Sequence, residues 1–118
     1  MIENGFLKIV RVLPGEIYAD EFANMVRQDV EEGARVVVID SMKGYSESIL
    51  TDEDPLKSMQ MLTSYLNSMG VTTLIIADTD SIIGEFKVTE VGVSYIADNV
   101  IFLRYVERFG GIIRVIGV

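Results

Sequence analysis

An α/β fold is predicted, with a mostly parallel sheet, flanking helices and a C-terminal antiparallel hairpin. Three observations predict it. Apolar runs rich in β-branched residues alternate with segments of helical period, the pattern of strand–helix–strand units. One of those runs, Arg35-Val-Val-Val-Ile-Asp40-Ser41, is continuous rather than alternating, which predicts a strand buried on both faces, as in a parallel sheet. Gly110-Gly111 separates the last two apolar runs, as a hairpin turn would.

Phe6–Val12 is a strand candidate, closed by the Pro14-Gly15 turn signal. A helix is expected over about Asp20–Glu32. Its acidic first turn complements the helix dipole, Phe22, Val26 and Val30 form its apolar stripe, and Gly33 stops it. The central strand follows and ends in Asp40. Open α/β sheets place ligand sites at such carboxyl ends, although an Asp there can equally begin a turn. Met42–Asp54 reads as irregular and polar. Asp54-Pro55 opens the next helix as cap and first-turn proline. Leu56, Met59, Leu62, Leu66 and Met69 keep helical spacing to Gly70, and the methionines read as core. Val71–Ala77 is the next strand, ending in Asp78-Thr79-Asp80. A weakly patterned segment runs to Gly92, with a helical turn at Ser94–Asp98. Val100–Val106 and Ile112–Val118 form the hairpin arms.

The 118 residues suit one domain, with 49% hydrophobic and 24% charged residues. The net charge of -8 argues against binding a nucleic-acid backbone. The chain has no cysteine and no histidine, which removes disulfides, thiolate sites, the Ser–His triad and the usual zinc sites. No apolar run reaches the roughly eighteen residues of a membrane helix, and no signal peptide is visible. The expected location is cytoplasmic.

Several stretches carry a resemblance in the same order along the chain. They are Glu31-Glu32-Gly33-Ala34-Arg35-Val36-Val37-Val38-Ile39-Asp40-Ser41, Gly44-Tyr45, Tyr65-Leu66-Asn67-Ser68-Met69-Gly70-Val71-Thr72-Thr73, Val93-Ser94-Tyr95-Ile96-Ala97-Asp98-Asn99-Val100 and Leu103-Arg104-Tyr105-Val106-Glu107. Together they resemble the RecA-type ATPase domain of the KaiC family, the circadian-clock-like ATPases. The resemblance implies a RecA-like P-loop NTPase fold, ATP and Mg²⁺ as cofactors, and a homo-oligomer, a hexamer-type ring in the family; the process that ATP drives, whether clock regulation, signal transduction or another, stays open at this point. Asp40 matches the Walker B aspartate that holds magnesium. Ser41 follows it, and Asp78 lies where such ATPases place a γ-phosphate sensor, although relatives have Glu or Asn near there. Thr89 and Ser94 fall in the stretch that clock members autophosphorylate, with Tyr95 in place of a hydroxyl residue.

No G-x-x-x-x-G-K-[ST] phosphate loop occurs in these residues. Residues 1–118 therefore read as a partial RecA-like domain, the half that keeps the Walker B side, from a truncated gene product, a proteolytic remnant or a cut piece. ATP binding and hydrolysis belong to the intact protein; by itself the chain is expected to be inactive, with no catalytic residue assigned. In the family the phosphate-loop strand lies between the Val71–Ala77 strand and the hairpin. The gap is expected to close by the hairpin moving to that strand, or by two chains exchanging strands into a dimer. The alternative is a non-catalytic module that oligomerises or binds a partner. A phosphoacceptor receiver-like domain also has a strand-end Asp, but its acidic pair and late lysine are missing here. Arg104, Arg108 and Arg114 read as solvated hairpin residues or as a finger toward a neighbour.

Overall fold

A computed structural model describes residues 5–50, 54–78 and 96–118. In chain order these contain β1 (Ile17–Tyr18), α1 (Ala19–Glu31), β2 (Val36–Asp40), α2 (Met42–Ser48), β3 (Ile49–Leu50), α3 (Pro55–Ser68), β4 (Thr72–Ile76), β5 (Phe102–Arg108) and β6 (Gly111–Gly117). The fold is α/β, with parallel pairs β1–β3 and β2–β4 and the antiparallel hairpin β5–β6.

Local chemistry explains the helices. In α1 the Glu21 carboxylate accepts the Tyr18 N–H at 3.0 Å, satisfying one donor at the helix start. Gly33, at φ +116°, makes the turn into β2 that a side chain would resist. In α3 the Asp54 carboxylate accepts the Leu56 N–H at 2.9 Å, and Pro55 occupies the first turn. The apolar stripes of both helices meet in one core. Val26 and Val30 from α1 and Met59, Leu62 and Leu66 from α3 pack with Ile39, Met42, Tyr45, Ile49 and Val71.

The segment expected to be irregular contains α2. Met42, Tyr45 and Ile49 are spaced to turn inward together, and all three are buried. Their period is hidden in the sequence by the intervening Lys, Gly, Ser and Glu. Tyr45 stacks edge-on against Phe22, with ring centroids 5.3 Å apart and planes at 62°.

Four further sequence expectations need correction. Phe6–Val12 forms no strand: residues 7–13 pair with no ladder. Lys8 is instead drawn to Asp29 of α1, and the Gly15 N–H is held by the Ser48 carbonyl at 2.9 Å. Second, β2 is buried on one face only. Val37 and Ile39 turn to the core, while Val36 and Val38 are 58% and 60% exposed, and Leu74 and Ile76 of β4 are exposed beside them. All the helices that cover the β2–β4 pair share the inner side through that one core. Third, the hairpin does not join β4. Among the described residues β4 pairs with β2 alone, and β5 with β6 alone.

The fourth correction concerns the hairpin turn, which is Phe109-Gly110 rather than Gly110-Gly111. Both turn residues have positive φ, 52° and 74°, as the favoured two-residue hairpin turn requires. Arg108 pairs with Gly111 and Phe102 with Gly117, so all seven residues of each arm are in register without an outside strand. Of the helical turn expected at Ser94–Asp98, Ser94 and Tyr95 lie outside the described residues, as does Thr89, and Ile96–Asp98 contain turn and bend.

Two outcomes follow from this packing. Leu66 is fully enclosed, so Leu66→Ala is expected to lower unfolding free energy by about 2–5 kcal/mol. Val38→Ala, on the bare face, should cost less than about 1 kcal/mol; urea denaturation of both variants measures the contrast. Tyr45 supplies a pH signature. Burial raises its phenol above the ordinary 10.0, the Ser58 hydrogen bond opposes this, and the Asp20 charge adds to the rise. The folded state thus holds the proton that the unfolded state releases, so stability is full below about pH 10 and falls as pH climbs through the raised value. Tyr45→Phe is expected to flatten that alkaline decline, read from urea midpoints between neutral pH and the alkaline range.

Candidate functional site at the carboxyl ends of β2 and β4

The parallel register sets Val36 beside Thr72 and carries through to Asp40 beside Ile76. Both strands therefore end at one rim. Asp40 is the last residue of β2, with its side chain exposed. Asp78 lies two residues beyond the end of β4, also exposed. The ladder thus brings both predicted carboxylates to the same end of the sheet. Thr79 and Asp80, read together with Asp78 in the sequence, lie outside the described residues.

Ser41 follows through a cis peptide bond and caps α2. Its hydroxyl oxygen accepts the Gly44 N–H at 3.2 Å. The O–H of Ser41 is left to donate, since a hydroxyl combines one donor with two acceptor positions. The sequence marked Ser41 only as the residue after Asp40; its capping role depends on α2, whose period was hidden.

A cleft of about 170 Å³ opens beside these residues. Asp40, Ser41, Gly44 and Tyr45 are among its lining residues, with Val10 and Val12. Tyr45 belongs to the Gly44-Tyr45 pair that carries part of the resemblance. It packs against Phe22, and it also lines the cleft.

The donor set bears on magnesium. The described residues hold no group of three or more Asp, Glu, His or Cys side chains that could cage a metal. One exposed carboxylate at a strand tip nevertheless suits Mg²⁺, which keeps several waters and binds through one or two carboxylates together with substrate phosphates. Asp40 fits that pattern, and Asp78 stands at the same rim.

The hairpin arginines are occupied locally. Arg104 lies over Phe102 at 5.9 Å, Arg114 over Tyr105 at 5.9 Å and Arg108 over Phe109 at 5.1 Å from the ring centres. Each guanidinium thus covers a ring of its own hairpin. None of the three lines the cleft. Among the described residues no helix is long and apolar enough to cross a membrane.

Comparison with known proteins gives a consistent result. The chain is 29% identical over 115 residues to the circadian clock protein KaiC3 of Synechocystis sp., covering 93% of this chain and 22% of that protein. It is 25% identical over 119 residues to the circadian clock oscillator protein KaiC of Picosynechococcus sp., covering 100% of this chain and 23% of the relative. The chain therefore spans less than a quarter of the length of these curated relatives. The family profile described as "ATPase: KaiC" matches residues 15–118, and the chain belongs to the KaiC ATPase family.

Proposed function

We propose that this chain carries the Walker B side of a KaiC-like, RecA-type Mg-ATP site, within a partial domain formed by residues 1–118. The observation that carries the reading is the placement of Asp40 at the carboxyl end of β2, with Asp78 beyond the end of the adjacent parallel strand β4. Asp40 would hold magnesium, directly or through a bound water. Ser41 keeps α2 in place and offers its O–H to a phosphate oxygen or a magnesium-bound water. Asp78 would sit toward the γ-phosphate.

Magnesium held by Asp40 would supply charge neutralisation for phosphoryl transfer to water in the intact site. The part played by this chain is to fix one carboxylate at a rigid strand end. The ladder to β4 and the burial of Ile39 beside Asp40 supply that rigidity. The cradle of backbone N–H groups and the lysine of a phosphate loop are not among these 118 residues. Binding by this chain alone is therefore weak, and hydrolysis requires the rest of an intact site. In the intact protein the site would work in a cytoplasmic homo-oligomeric ring, coupled to clock-like or signalling output. A strand-exchanged dimer is a further assembly open to this chain.

A second reading, a non-catalytic oligomerisation or partner-binding module, draws on a different observation. Val36, Val38, Leu74 and Ile76 form an exposed apolar sheet face, and Leu103 and Ile116 face each other across the hairpin while largely exposed.

Titration calorimetry with ATP separates the two. The nucleotide reading expects binding in the millimolar range that requires Mg²⁺ and weakens about tenfold or more in Asp40→Ala, the loss of a charge-assisted contact. No heat at millimolar Mg-ATP, or binding indifferent to Asp40→Ala, would overturn it in favour of the second reading.

A further inference from the structure

We infer that Gly44 is a specificity-determining residue of the proposed Mg-ATP site: its missing side chain keeps clear the space beside the Ser41 hydroxyl that a phosphate oxygen of the nucleotide takes. Gly44 has this role only if Asp40 and Ser41 hold Mg-ATP, the reading proposed above. Gly44 lies within α2, where glycine weakens a helix relative to alanine, because it gives up more backbone freedom on folding. α2 has only seven residues, so one weak position matters to it.

The fold does not require the glycine. Other glycines have visible reasons for being there. Gly33, Gly70 and Gly110 sit at positive φ, where a side chain is strained. At Gly117 a Cβ would run into the Phe102 ring. Gly44 shows neither reason. Its backbone is helical, without a positive φ. Among the described residues, a Cβ built on it would meet one atom outside its own helix backbone, the Ser41 Oγ, at 3.7 Å. That is an ordinary van der Waals contact, so alanine fits.

The identity of that neighbour connects the bare position to the site. The Ser41 Oγ accepts the Gly44 N–H at 3.2 Å, which leaves the Ser41 O–H to donate. The Gly44 N–H is thereby satisfied within the protein. What the position offers is the absent side chain, not a backbone donor. Gly44, Ser41 and Asp40 line the same cleft of about 170 Å³. An oxygen acceptor must come within about 2.5–3.0 Å of the Ser41 Oγ to take its proton. A methyl group already in contact with that Oγ narrows the approach. Stability given up beside a ligand site is a recurrent trade in proteins.

Two measurements on the 118-residue chain separate this role from a structural one. In urea denaturation, Gly44→Ala is expected to raise the ratio of folded to unfolded chain by about two- to fivefold, since alanine fits and favours the helix. In an NMR titration with Mg-ATP, the same variant is expected to bind about fivefold or more weakly than the unaltered chain, the effect of crowding a close contact with a methyl group. Stability gained together with affinity lost is the expected signature. Unchanged affinity in Gly44→Ala would overturn the role and leave the Mg-ATP reading in place. Lower stability in Gly44→Ala would overturn it as well, because the fold itself would then need the glycine. Absence of Mg-ATP binding by the unaltered chain would overturn both.

Discussion

The parallel ladder between β2 and β4 is the contact on which the rest depends. It sets five residues of one strand against five of the other and so brings two chain ends to a single rim. Its inner face, through Ile39 and Ile75, rests on the core that α1 and α3 build. Met59 and Leu66, both fully enclosed, fill the centre of that core. Without the helices the ladder would be a two-stranded ribbon, marginal in water. Without the ladder, Asp40 and Asp78 would have no reason to share a place. The geometry of the candidate site is therefore a consequence of apolar packing below it.

The same arrangement leaves the sheet incomplete in two directions. One face carries Val36, Val38, Leu74 and Ile76 in the open. One edge of β2 has no ladder among the described residues. These features have one physical origin. Parallel sheets of this class are stable when both faces are covered and every interior strand has two neighbours. Here the helices supply one cover and β4 one neighbour. Membership of the KaiC ATPase family, in relatives more than four times as long as the matched region, gives this half-covered sheet its context.

Much of this was legible in the residues. The apolar stripes of α1 and α3, their caps and their glycine stops are local signals, and both helices begin and end within a residue or two of expectation. The strands β2 and β4 announce themselves by runs of β-branched residues, and Asp40 by ending one of them. Other features were hidden for identifiable reasons. The stripe of α2 has only two buried members, Met42 and Tyr45, separated by polar residues. The run at residues 6–12 has strand composition, but a ladder needs a partner at the right distance, and composition carries no information about that. The hairpin turn moved by one residue because Phe109 accepts a positive φ that the sequence would assign to glycine first.

The sequence by itself determined the helices α1 and α3, the strands β2 and β4, the C-terminal hairpin, the family and the identity of the strand-end carboxylate, because these rest on period, propensity and ordered motifs. The tertiary structure alone decided which faces of the sheet are covered, that Asp40 and Asp78 share a rim, and that Tyr45 both packs on Phe22 and lines the cleft. Those outcomes depend on register and on contacts between residues far apart in the chain. A local pattern cannot encode the distance between two segments; only the shared core, by holding both against the same helices, sets it.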